Sequence, residues 1–255
     1  MRIYLYTLLA FTMAISSAYG QRQLSSTNFY TKIKDYDLSK IWKSDSIKIE
    51  DEHDRIAFPE PLGFIGENFQ RFFIHYTSVT KSIDTPYLYY VTGKTRVKNS
   101  ICSFKGQIYI QKAVINNDPD FKQFKVGDVT CLVTLYEDST QYGSGVIKGE
   151  LISGFYIDKK GKIYYDALFF GGDGFANNCC TAIWTSYKTG KSKKCNWGDY
   201  RIPESKGLDI GAGEFHVAEQ YIKNGWENYR MAWVGDPDTP EVKKARAEES
   251  RKWWK

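Results

Sequence analysis

Histidine is scarce in this chain, and the three residues present, His53, His75 and His216, limit the chemistry on offer. His53 lies among Glu50, Asp51, Glu52 and Asp54 and reads as part of a solvated charge run, while His75 falls inside an aromatic, strand-like stretch. His216, near Glu214 and Glu219, is the strongest acid–base candidate, although a lone His beside carboxylates is commonly surface decoration. A nucleophile elbow is missing as well, because Gly143-Ser144-Gly145 lacks the residue that must separate each Gly from the Ser. Phe170-Gly171-Gly172-Asp173-Gly174-Phe175 has too few oxygen ligands for a calcium loop and reads as a plain loop. Carboxylate pairs for glycoside hydrolysis stay open, since their separation of roughly 5–9 Å is set by the fold. Glu150, Asp158, Asp166 and Asp173 are the acids near one expected hairpin, with Asp158 better explained as a turn residue. No cofactor motif is present, and the balance leans away from an enzyme.

Long hydrophobic runs are absent beyond the first, Ile3 to Ile15. Met1-Arg2 supplies a positive end before it, and Ala18 and Gly20 are the small residues that a signal peptidase inspects. About 13 apolar residues fall short of the roughly 20 that a spanning helix needs. Residues 1–20 therefore read as a cleaved signal peptide, and no later stretch reads as a transmembrane segment. The mature chain is expected in the periplasm or outside the cell. Charge of one sign is nowhere concentrated: the formal net charge is +5 with both signs interspersed, which leaves no footprint for nucleic acid. No fixed-period repeat is found.

Aromatic residues are what the chain has in excess, 16% of the total with 19 Tyr, and these favour strands. Residues 21–61 are polar and charged, with Trp42 the only large anchor, and read as an extended arm closed by Pro59-Glu60-Pro61. From there the pattern predicts short strands at Arg71–Val79, Tyr87–Val97, Ile101–Ile115, Val129–Tyr136, Val146–Ile157, Lys162–Phe170 and Thr181–Tyr187. Ile108, Ile110, Lys112 and Val114 are expected on one face, as are Val129, Cys131, Val133 and Leu135. Asp158-Lys159-Lys160-Gly161 predicts a hairpin turn. Glu214–Lys223 reads as a short C-terminal helix, with a strand as its alternative, and 236–255 as a charged tail, a frayed helix capped by Thr239 and opened by Pro240, or a disordered segment. The fold class is mostly β over 62–235, an antiparallel barrel, lipocalin-like by analogy, or a sandwich.

Five cysteines remain after the leader, and export makes disulfides possible. Cys195 is expected to pair with Cys179 or Cys180, closing a loop of about 15 residues and stabilising by about 3 kcal/mol. Cys102 and Cys131 either pair across strands or remain buried thiols. A zinc site from Cys179, Cys180, Cys195 and His216 departs from the usual spacing, so no metal is expected. Trp184, Tyr187, Lys191, Lys194, Trp197, Tyr200 and Arg201 form the candidate ligand surface, aromatic and basic residues able to stack on and neutralise a flat or anionic ligand. Trp253-Trp254 beside Arg251 and Lys252 is a further candidate for contact with a membrane surface or partner.

Four segments, VTGKTRVKNSICSFKGQIYI (91–110), YKTGKSKKCNWGDYRIP (187–203), LDIGAGEF (208–215) and KNGWENY (223–229), resemble an uncharacterised family of secreted β-rich proteins from Bacteroidetes. The resemblance covers roughly a quarter of the mature chain and implies export and a single domain. It implies no activity, ligand or catalytic residue. The expected function is a secreted, non-enzymatic binding protein for a glycan or amphipathic small molecule. A cell-envelope interaction or structural protein is the first alternative and an extracellular hydrolase the second.

Overall fold

The computed structural model describes residues 25–49, 54–117 and 120–255. The signal-peptide segment, the His53 charge run and the Asp118-Pro119 turn lie outside the described residues. In chain order, β1 (Ser26–Asn28) precedes two helical turns, α1 (Tyr30–Ile33) and α2 (Ser39–Trp42). A small separate hairpin follows, β2 (Ser46–Lys48) with β3 (Arg55–Ala57). The main sheet then runs through β4 (Leu62–Ile65), β5 (Gln70–Lys81), β6 (Leu88–Val97), β7 (Ser100–Asn116) and β8 (Lys125–Glu137). It continues with β9 (Gly145–Ile157), β10 (Ile163–Tyr165), β11 (Asn177–Ser186) and β12 (Ser192–Asp199). Two helices, α3 (Glu227–Val234) and α4 (Pro240–Glu249), end the chain.

Each of β4 to β9 pairs antiparallel with its successor; β9 pairs β11, β11 pairs β12, and β12 returns to β4. The ladder thus closes on itself as an up-and-down cycle of eight strands, the barrel alternative, with β1 and β10 added to the ends of β7 and β9. Period-two patterning drives this arrangement: Val129, Cys131, Val133 and Leu135 are all buried, as their alternation predicts. One interior layer can be followed round the wall, from Ile110 to Cys131, Leu151, Cys180, Trp197 and Gly63, each opposite the next. An eight-stranded barrel is just wide enough for side chains to fill. Gly93 shows how tight the fit is, since a Cβ there would collide with the His75 carbonyl and the Phe104 ring.

On β7 the expected single face is broken. A bulge between Ile110 and Lys112 adds one residue, so Ala113 is buried in place of Lys112 and Val114. Residues 166–176 leave the sheet, so the hairpin after β9 keeps only the short β10; Asp158 serves it as expected, accepting from the Lys160 and Lys162 amides at 2.9 Å. Strands β4 and β12 were not expected. The helix expected over 214–223 forms only in its second half, as a 3-10 helix at Glu219–Asn224, and the first half holds an isolated bridge at Val217.

The arm is not extended over 29–42. Its two helical turns bury Phe29, Ile33, Leu38, Ile41 and Trp42 in the barrel core. Trp42 Nε1 donates to Ser153 Oγ at 2.8 Å, and the Leu38 amide donates to Tyr89 Oη at 3.1 Å. These residues plug one end of the barrel. At the other end buried Glu137 accepts from Thr95 Oγ1, from Trp184 Nε1 at 2.9 Å and from the Gly145 amide at 2.7 Å. Burial raises the Glu137 pKa and the three donors oppose that rise. The charged tail is ordered too: Thr239 Oγ1 caps α4 through the Val242 amide, and Val242 and Ala245 are buried.

All five cysteines are free thiols. Cys131 lies opposite Ile110, eight residues along β7 from Cys102, so about 26 Å of strand separates that pair and excludes a bridge. Cys180 faces Trp197, and Cys195 sits diagonally from it, at a spacing of about 7–8 Å that exceeds usual disulfide geometry. Cys179 contacts Gly198 rather than Cys195. Burial raises every one of these thiols, Cys102 and Cys179 to about 11, which leaves them poorly reactive even in an oxidising compartment. Thiol titration after denaturation without reductant is expected to count all five; a count of one or three would reinstate a disulfide. Trp42→Ala, which empties the plug and strands Ser153, is expected to lower stability by about 3–5 kcal/mol in urea unfolding.

Candidate functional site

Closure of the barrel is uneven. β4 meets β5 over two residue pairs, Phe64 with Arg71 and Ile65 with Gln70, whereas β5 meets β6 over nine. Beyond Arg71 the β5 edge on this side has no strand partner among the described residues, and a cleft of 590 Å³ opens there. That volume suits a small ligand. One lip is the 57–62 segment, including Phe58 and Glu60; the other is the end of the chain, Glu249 to Trp254. Tyr76, Leu151, Asn178, Trp197 and Asp199 reach it from the barrel side.

Asp199 is fully buried at the end of β12. Its Oδ2 accepts from Asn178 Nδ2 at 2.7 Å and Tyr165 Oη at 3.1 Å. Burial dominates those favourable bonds and, with the nearby Glu60 charge, raises the carboxyl to about 8. Asp199 is therefore largely protonated at neutral pH, a carboxylic acid that can donate as well as accept. Its Oδ1, Asn178 Oδ1 and Tyr76 Oη are all buried with no hydrogen-bond partner among the described residues. Such groups are rare in folded proteins, because each lost bond costs about 1–3 kcal/mol. Three of them on residues lining one cleft point to a ligand or ordered water that completes them.

The backbone at this point is strained as well. Asn178 and Tyr200, both at the cleft, have φ of 48° and 65°. Asn tolerates the left-handed region, but Tyr does so at a cost of order 1–3 kcal/mol. Tyr200 is the centre of a three-residue turn closed by the Arg201 amide on the Asp199 carbonyl at 2.8 Å. Arg201 then holds the chain beyond: its guanidinium bonds Asp209 Oδ2 at 2.7 Å and the carbonyls of Gly211, Ala212 and Gly213. The 208–215 segment is thus wrapped around Arg201, which fastens the turn that carries Asp199 and Tyr200.

At the mouth, Trp254 stacks on His75 with ring centroids 3.7 Å apart and planes within 10°. His75 Nδ1 lies 2.9 Å from both Glu60 carboxylate oxygens. Arg71 Nη2 pairs with Glu249 Oε2 at 2.7 Å beneath the same tail. Trp253-Trp254 is therefore folded against the barrel wall, with both rings half-buried.

Of the seven residues expected to share a ligand surface, Trp197 and Tyr200 reach the cleft. Trp184 is bound to Glu137 near the opposite end, and Tyr187 and Lys191 are exposed on the β11–β12 connection there. Lys194 points outward and pairs with Glu204 at 2.8 Å, an exposed contact of little energetic weight. Alternation along β12 separates these residues, so the aromatic and basic set does not form one face. His216 lies outside this cleft, beside Glu214 and Trp233 in a separate cavity of 320 Å³. Asp199 and Tyr76 escaped attention because nothing local marks them; the one available signal was the Trp197-Gly198-Asp199-Tyr200 run inside the resemblance segment.

Comparison of the chain with protein-family models, with curated proteins and with solved structures finds no match. Among the described residues no helix is long and apolar enough to cross a membrane.

The raised Asp199 pKa fixes a sign for pH dependence. Between about pH 4 and pH 8 the folded state holds a proton that the unfolded state releases, so this group's contribution to stability falls as pH rises through that window. Asp199→Asn removes it. Wild type is expected to lose at least about 3 °C of Tm relative to Asp199→Asn between pH 5 and pH 8, measured by differential scanning fluorimetry. Parallel curves would show that Asp199 is ionised in the fold.

Proposed function

We propose that the chain is an exported, non-enzymatic binding protein that takes a compact neutral ligand, a sugar unit or an amphipathic small molecule, in the cleft between β4 and β5. The observation that carries this reading is the set of three unpartnered buried atoms, Tyr76 Oη, Asn178 Oδ1 and Asp199 Oδ1, on residues of an aromatic-lined cleft. A protonated carboxyl, a phenol and an amide carbonyl offer neutral donors and acceptors, which match hydroxyl or carbonyl groups better than a charge. Trp197, Tyr200 and Trp254 add ring faces for the apolar side of such a ligand. The filled barrel interior argues against a long lipid-like ligand of the kind a hollow barrel encloses. Export rests on residues 1–20, as does placement in the periplasm or outside the cell, and kinship with secreted Bacteroidetes proteins is part of the same proposal.

An extracellular hydrolase is the second reading. It is favoured by Asp199, protonated near neutral pH, sharing one cleft with the partly exposed Glu60 and its partner His75. The envelope-protein reading has less support, because residues 29–42 and the tail, its expected points of contact, are used to fill and cover the barrel.

Titrating intrinsic tryptophan fluorescence with monosaccharides and short glycans is expected to give a saturable change in the wild type. Tyr76→Phe, which keeps the ring and removes the hydroxyl, should weaken binding about tenfold. A flat titration across neutral sugars and small amphiphiles would overturn the binding reading, and release of reducing ends from the same glycans would replace it with the hydrolase.

A further inference from the structure

We propose that a second pocket, on the outer wall of the barrel beside the start of β5, binds a tetrahedral oxyanion such as phosphate or a sulfate ester. The pocket measures 380 Å³, and five cationic side chains line it: Arg71, Arg96, Lys98, Lys223 and Arg251. Three carboxylates, Glu227, Glu248 and Glu249, line it as well. Two of these are engaged, Glu249 by Arg71 at 2.7 Å and Glu248 by Arg251 at 3.2 Å. Among the described residues no ion pair joins Arg96, Lys98 or Lys223 to any of the three.

Arg96 is the central group. Its guanidinium lies over Phe73, 3.9 Å from the ring centroid, and 5.2 Å from that of Trp253. Among the described residues it has no ion-pair partner, and its Nε is buried without a hydrogen bond. Burial, followed by the neighbouring charges of Arg251 and Arg71, lowers its pKa despite Glu248 and Glu249. A desolvated cation held among other cations is costly unless an anion completes it. The planar guanidinium fork fits two oxygens of a phosphate or sulfate at once.

The N-terminus of α3 contributes from the other side. Its first residues, Glu227 and Asn228, line the pocket, and Trp226 at the cap position supplies no side-chain hydrogen bond. The first helical bond is donated by Arg230 to Trp226, so the earlier amides have no capping side chain and add partial positive charge. Shape, charge excess and uncapped amides therefore agree on one ligand chemistry. The site adjoins the β4–β5 cleft, sharing Arg71, Phe73 and Glu249 with it, yet does not depend on what the cleft holds.

Calorimetric titration of the full chain at fixed ionic strength, with sodium phosphate, sodium sulfate and glucose 6-phosphate, tests this. Saturable binding is expected, weakened about tenfold or more in Arg96→Gln. Binding of the inorganic ions assigns the site to a free oxyanion, and binding of glucose 6-phosphate alone assigns it to an esterified ligand. Because Arg96 also packs on two rings, Lys98→Gln with Lys223→Gln, both on exposed side chains, gives a second reading and should reduce affinity with an unchanged melting curve. No saturable binding of any probe below about 10 mM, or equal affinity in both variants and wild type, overturns the proposal.

Discussion

The short ladder between β4 and β5 governs most of what is distinctive in this molecule. Eight strands must close a cylinder, and the other seven junctions run over four residue pairs or more. The eighth is held by two residue pairs. A barrel closed this briefly exposes β5 backbone and interior side chains along the rest of the seam, and something must cover them. The 57–62 segment and the C-terminal tail do so, through the Glu60–His75–Trp254 stack and the Arg71–Glu249 ion pair. The cleft is what these coverings leave open.

The interior of the barrel and the cleft floor follow opposite rules. Inside, apolar side chains and the 29–42 plug meet with few polar atoms, and those present are paired, as Trp42 is with Ser153 and Glu137 is with its three donors. At the floor, Asp199, Asn178 and Tyr76 keep unpaired atoms, and Tyr200 sits in a conformation its side chain disfavours. Of the five buried side-chain atoms without a hydrogen bond among the described residues, these three gather on one cleft, and the other two belong to Arg71 and Arg96 beside it. The Arg201 cage around 209–213 fastens the strained turn from behind and lets the cleft keep its geometry.

Strand alternation was legible wherever one face is buried along an unbroken ladder, as on β8. It failed where the ladder shifts: the bulge on β7 moved Lys112 and Val114 off the inward face, and no residue type near Ile110 announces it. The plug was misjudged because its apolar residues, Phe29, Ile33, Leu38, Ile41 and Trp42, are spread among Lys and Asp and form helical turns too short to show a period. The tail was misjudged for a related reason. Its charged composition hides Val242 and Ala245, and its two tryptophans gain partners only from β5. Spacing along the chain also suggested cysteine pairs that strand register keeps apart.

By itself the sequence determined the class of structure, a mostly β antiparallel fold with strands from Arg71 onward, because alternation and aromatic content are local properties that a sheet reads directly. It also determined individual turns such as Asp158 and the Thr239 cap, whose bonds reach a few residues. Tertiary structure alone decided the closure at β4, the burial of residues 29–42 and the meeting of Asp199, Tyr76 and Asn178. Tyr76 lies more than a hundred positions from the other two in the chain, and the raised Asp199 pKa comes first from burial, which no local pattern encodes.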